Sequence, residues 1–195
     1  YEREAYYSSD GSDFRVTLPT NRETAEGYEI EIILSGLQGG HSGMEIDKNR
    51  VNADILAGEF LNLVYNSKNM GIISIDGGDK GNAIPNKCTI NLCTNDPDEF
   101  KTFAENNLER LKNEILDKEP HFSYSVEIKD CSLFKIISEK TAKDLVFILN
   151  NIPDGVYKMS DEIKGLVETS SNLGILKTND ENIVLHFTLR SNKKS

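Results

Sequence analysis

The chain has 195 residues, a formal net charge of −10, 37% hydrophobic and 28% charged residues. This length suits one large domain or two small ones and is enough to bury a core. The acidic balance, with Lys193-Lys194 the sole basic cluster, argues against nucleic-acid binding. No apolar run approaches the roughly 18 residues of a membrane span.

The first residues are charged and lack the apolar core of a signal peptide. Cys88, Cys93 and Cys131 are odd in number, and Cys88 and Cys93 fall on opposite faces of one strand. They imply no disulfide framework and suit a reducing cytoplasm. The chain starts at Tyr1 and stops just beyond Arg190. It is expected to be a piece of a longer protein, a processed small protein being the alternative.

In chain order, residues 1–13 are polar and loop-like. Phe14, Val16 and Leu18 alternate as a short strand before Pro19. Residues 28–35 form a strand with Ile30, Ile32 and Leu34 on one face and Glu29 and Glu31 on the other. The run 36–46 is glycine-rich and holds His41 and Ser42. From 49 to about 67 the pattern is helical, with Val51, Ile55, Leu56, Phe60, Leu63 and Val64 on one stripe.

Strands at 72–76 and 87–94 flank the loop 77–85. Asp96-Pro97-Asp98-Glu99 reads as a helix start with Asp96 as N-cap. Its apolar stripe runs to Ile115, and Phe122, Tyr124, Val126 and Ile128 alternate as the next strand. A third helix is expected over 138–150, a turn at 153–155, and two strands at 165–177 and 182–190 joined by an Asn179-Asp180 turn. On the last strand Ile183, Leu185, Phe187 and Leu189 are expected inward, with Val184, His186, Thr188 and Arg190 on the other face.

Residues 28–128 therefore read β-α-β-β-α-β, the ferredoxin-like order. The expected class is α+β: an antiparallel sheet with helices mainly on one face, extended by a third helix and two further strands. In that order the first two strands are parallel, because a right-handed crossover joins them. The turn after the first strand and the turn between the second and third then lie at one sheet edge. His41 and Asn82 are thereby brought together.

His41 can donate or accept near neutral pH, and Asn82 offers a neutral donor and acceptor. The alternative for each is a plain loop residue. Ser42 does not fit the nucleophile elbow and reads as a cap for the next turn. His121, after Pro120, reads as structural or exposed, and His186 as a surface pair. No His-x-Asp, His-Glu-x-x-His or Cys-x-x-Cys pattern is present. A phosphate loop is absent too, since the glycines of 77–81 lie in a hairpin.

Gly36-Leu37-Gln38-Gly39-Gly40-His41-Ser42-Gly43 with Arg50-Val51-Asn52-Ala53 resembles the lid-domain signature of the di-zinc peptidase clan M20. Asn82-Ala83-Ile84-Pro85 resembles that clan's second lid motif. Pro153-Asp154-Gly155-Val156 and the stretch from Gly165 to Gly174, with Glu168-Thr169-Ser170-Ser171-Asn172, are similar to the Xaa-His dipeptidases, also called aminoacyl-histidine or cytosol non-specific dipeptidases. Arg3-Glu4-Ala5 resembles the approach to the lid, and residues 186–191 the strand leading back to the catalytic domain.

The resemblance implies that residues 1–195 are a single lid and dimerisation domain of a cytoplasmic metallo-dipeptidase. The family's metal ligands belong to a catalytic domain that this sequence lacks. Two zinc ions are implied in the parent enzyme and none in this fragment, which is expected to be inactive alone. His41 would stabilise the oxyanion on the scissile carbonyl, while Asn82 and Arg190 would bind substrate, Arg190 through its C-terminal carboxylate. The implied partners are a dipeptide, the chain's own catalytic domain and a second copy in a homodimer, with no nucleic acid and no membrane. The alternatives are a non-catalytic binding or oligomerisation module, or the lid of another hydrolase of the clan, such as a tripeptidase or deacylase.

Overall fold

The alternation at 28–35 sits within a longer strand, β2 (Glu23–Ser35), following β1 (Asp10–Pro19). Ile30, Ile32 and Leu34 are fully buried, whereas Glu29, Glu31 and Ile33 on the opposite face are half-buried. The structure, a computed structural model, describes residues 10–65, 67 and 69–191. Arg3-Glu4-Ala5, the other residues of 1–9 and Lys193-Lys194 lie outside them.

A two-residue strand, β3 (Gly40–His41), precedes helix α1 (Ala53–Tyr65). The helix leads to β4 (Gly71–Gly77), the short β5 (Ala83–Ile84) and β6 (Cys88–Thr94). Helix α2 (Pro97–Ile115) then leads to β7 (Ser123–Ile136). β2 pairs antiparallel with both β6 and β7, and β4 pairs antiparallel with β6. The order β4-β6-β2-β7 is the ferredoxin-like arrangement, and β2 and β4 run parallel as the topology requires. Helix α3 (Glu139–Asn151) packs on α1, where a Cβ on Gly58 would lie 2.5 Å from Leu149 Cβ. Phe60, Phe100, Leu145 and the apolar face of β2 share one core. The α+β class inferred from the sequence is the one observed.

The sheet continues beyond β4 through β9 (Val167–Thr178), β10 (Asn182–Ser191) and β1, with β8 (Gly155–Met159) paired to β9. The β4–β9 seam has one ladder pair, Gly77↔Leu176. Thr178 extends it: its hydroxyl accepts from Ile75 N at 3.0 Å and donates to Ile75 O at 2.8 Å.

Several boundaries differ from the sequence reading. The first helix starts at Ala53 rather than 49, because Asn49 is left-handed (φ 54°) and Asn52 Oδ1 accepts from Asp54 N at 3.0 Å as a cap. A short 3₁₀ turn, Ile46–Lys48, precedes it. Asp96 precedes α2 but its side chain makes no capping hydrogen bond. β7 runs eight residues past the predicted Ile128, to Ile136; its far half is mostly exposed, so pairing with β2 holds it and no alternation announces it. β8 has no counterpart in the sequence reading, since most of its residues are exposed. Leu189 is 44% exposed, because its ladder neighbours Ser12 and Ser171 bring no apolar cover.

Gly36 closes β2 at φ +77°, and a Cβ there would lie 2.1 Å from His121 O. Gly36→Ala is expected to destabilise the fold by about 2 kcal/mol or more, from positive φ and steric overlap together. Urea denaturation of both forms checks this; equal midpoints would contradict it.

Candidate functional site

The glycine-rich run after β2 carries β3, which pairs with β5 of the loop before β6. His41 lies opposite Ala83, and Ser42 N donates to Asn82 O at 2.9 Å. The two loops that topology placed at one edge are thus joined by backbone bonds. Gly40, at φ +147°, leaves room for Arg50: a Cβ there would overlap its guanidinium.

Charged side chains hold the His41 backbone. Arg50 donates to Gly39 O and, at 2.9 Å, to Glu45 Oε1, while Glu45 Oε2 accepts from His41 N at 3.0 Å. Lys48, the His41 N–H and Arg50 together hold the Glu45 carboxyl at about 2. Glu119, 1% exposed, accepts from Gln38 N at 2.8 Å and Val51 N at 3.0 Å, tying the glycine run to the approach of α1. Sequence reasoning missed Glu45, Arg50 and Glu119 as supports. Glu119 shows only as an acidic residue before Pro120, which no periodicity marks as buried.

Gly43 N donates to His41 Nδ1 at 3.0 Å. Nδ1 is therefore the acceptor, and the neutral ring carries its proton on Nε2. Nε2 lies 3.5 Å from Nδ2 of the exposed Asn82; with the proton on Nε2 both atoms are donors, so the two groups are neighbours and not a hydrogen-bonded pair. Gly43 also touches Arg190: a Cβ at Gly43 would lie 2.7 Å from Arg190 Cζ. His41, Asn82 and Arg190 are thereby gathered around one turn, although Arg190 comes from the far end of the chain.

Ser42 does not cap a helix turn as expected; it is 2% exposed and its Oγ has no hydrogen-bond partner. His121 is exposed. His186 is more enclosed than a plain surface pair. Its Nε2 lies 3.5 Å from Asp13 Oδ1, its side chain is 17% exposed, and its ring backs onto Gly81.

A pocket of about 210 Å³ opens beside Arg190, lined among others by Gly43, Met44, Leu166, Val167 and Glu168. A larger cleft of about 740 Å³ lies along the loop before β6, with Gly40, Lys80, Asn86, Lys87 and Lys177 in its wall.

One buried acid, Asp54, and one half-buried acid, Asp154, underlie these loops. Asp54 is fully buried against Gly77 and the Cys88 thiol, and burial pushes its carboxyl well above the usual range. Asp154 accepts from Leu173 N at 2.9 Å and Asn52 Nδ2 at 3.1 Å, yet burial still raises it to about 6. Among the described residues no group of three or more His, Cys, Asp or Glu could hold a metal ion. Nor is any helix among them long and apolar enough to cross a membrane.

No family model matches the chain. Over 185 residues it is 34% identical to the cytosol non-specific dipeptidase of Escherichia coli (strain K12), covering 93% of this chain and 38% of that protein. The crystal structure of aminoacylhistidine dipeptidase from Vibrio alginolyticus superposes with a TM-score of 0.89 at 28% identity, over 95% of this chain and 38% of that one. The chain spans less than two fifths of the length of these relatives.

Proposed function

The chain is homologous to a segment of cytosol non-specific dipeptidase, and on that premise we propose that it is the lid domain of a longer, cytoplasmic metallo-dipeptidase of the M20 clan. Its substrates in this reading are Xaa-His and other dipeptides. Its partners are its own catalytic domain and a second copy of the chain. In this reading the two zinc ions implied by the resemblance are held by the catalytic domain.

The observation that carries the reading is the bond from Gly43 N to His41 Nδ1. It leaves Nε2 as a neutral N–H donor beside Asn82. Such a donor suits an oxygen that gains negative charge as a peptide carbonyl is attacked. A backbone held by Glu45 and Arg50 keeps the donor in place before substrate arrives. Arg190, at the mouth of the small pocket, offers a planar fork that matches a carboxylate. His41 would thus act on the reacting carbonyl, Asn82 on the substrate beside it, and Arg190 on its C-terminal end. Carrying these groups on a lid couples closure to catalysis.

Steady-state kinetics on the longer enzyme test the binding roles. Asn82→Ala is expected to raise KM about tenfold, the loss of one hydrogen bond. Arg190→Ala is expected to raise KM by about 10- to 100-fold for free dipeptides, as a charge-assisted pair is lost. For dipeptide amides, which lack the carboxylate, the Arg190 effect should shrink to within about threefold. An Arg190 effect of equal size on both substrate types would remove its carboxylate role.

A further inference from the structure

Asn82 is exposed at the tip of its loop, but the peptide groups around it are anchored from below. Asn172 in β9 is 1% exposed, and its Nδ2 donates to Ala83 O at 2.8 Å and to Gly81 O at 3.2 Å. These two carbonyls belong to the residues on either side of Asn82. Thr188, opposite Asn172 in the β9–β10 ladder, donates from Oγ1 to Gly81 O at 2.9 Å. The loop lies directly on β9: a Cβ on Gly174 would sit 2.4 Å from Gly81 O.

The two carbonyls fix which way the Asn172 amide points, since a flipped amide would set its own oxygen against both. Its Oδ1 is left buried without a hydrogen-bond partner, a cost the fold bears for that orientation. Gly81 O lies in the peptide that enters Asn82 and Ala83 O in the peptide that leaves Ala83, so a single NH₂ group pins the backbone on both sides of one exposed residue and limits how it can turn. We propose that Asn172 is a positioning residue: it brackets Asn82 and sets the angle at which the Asn82 amide meets His41 and the substrate. Thr188 supports one side of the bracket. This inference rests on the proposed substrate-binding role of Asn82.

The test is a double-mutant cycle in the full-length enzyme, with kcat and KM for a dipeptide measured for Asn82→Ala, Asn172→Ser and the double variant. Asn172→Ser is expected to raise KM about five- to tenfold while kcat stays within about twofold. Added to Asn82→Ala, it should raise KM no further, because the two changes remove the same interaction. A purely structural staple would lower stability without this split. If Asn82→Ala raises KM but Asn172→Ser does not, or if their effects multiply, the bracket is no positioning device. If Asn82→Ala leaves KM unchanged, the role of Asn82 fails, and this inference with it. Should Asn172→Ser not fold, Thr188→Val removes the other donor to Gly81 O. A smaller rise in KM, absent in the Asn82→Ala background, supports the bracket, and an unchanged or multiplicative KM overturns it.

Discussion

Replacing His41 with alanine in the longer enzyme is expected to lower kcat by about 100-fold or more, the magnitude seen when one preorganised oxyanion donor is lost. KM should change less than about threefold, because the interaction strengthens only as charge develops on the oxygen. The Nδ1 bond from Gly43 orients the ring so that Nε2 donates, and alanine removes that donor entirely. Stability should fall by no more than about 1 kcal/mol, since the ring sits on a loop outside the core. The measurements are kcat, KM and Tm for both proteins. His41→Gln, which places an amide donor near the same position, should recover part of kcat. A His41→Ala enzyme with near-normal kcat would leave the glycine-rich turn as structure only.

The folded chain is expected to lose up to about 3 kcal/mol of stability as pH rises from about 4 to above 6, through Asp154. The folded protein raises this carboxyl from 3.8 to about 6, so it holds the proton more tightly than the unfolded chain does. The contribution is fully present below the unfolded value and is lost as pH rises through the folded one. A proton held that much more tightly in the folded state accounts for the whole of this loss, and water reaching the group reduces it.

Asp54, on α1 beside it, acts with the same sign, as its carboxyl is also raised. Glu45, held at about 2, acts with the opposite sign, but below about pH 4.5 and outside this window. Asp154→Asn keeps an oxygen to accept from Leu173 N and Asn52 Nδ2 and removes the charge. Urea denaturation at pH 4, 5, 6 and 7 should show a flatter profile for Asp154→Asn and higher stability than the parent at pH 7. Parallel profiles would assign the pH dependence elsewhere.

Local periodicity carried much of the fold. The alternation of Ile30, Ile32 and Leu34 and the stripe of Phe100, Phe103, Ala104, Leu108, Leu111 and Ile115 mark the core-facing sides; seven of these nine side chains are buried, and Phe103 and Ile115 are partly buried against the core. Once the β-α-β-β-α-β order is read, chirality makes the first two strands parallel. That alone brings the His41 turn to the Asn82 turn, where Ser42 N now bonds Asn82 O. Glycine density marked the turn because positive φ is open to glycine at little cost, as at Gly36 and Gly39.

Other features were decided only in three dimensions. Periodicity records which side of a strand is buried, but not which distant strand will pair with it. The joining of β9 and β10 to β4, the long exposed half of β7 and the edge strand β8 depend on backbone bonds that impose no side-chain pattern. Arg190 is nearly 150 residues from Gly43 in the chain, and its contact there follows from the placement of β10. The burial of Asp54, Glu119 and Asn172 is equally silent in sequence. A polar residue carries no local sign that loops will close over it, and the hydrogen bonds that make burial tolerable to Glu119 and Asn172 come from residues far along the chain.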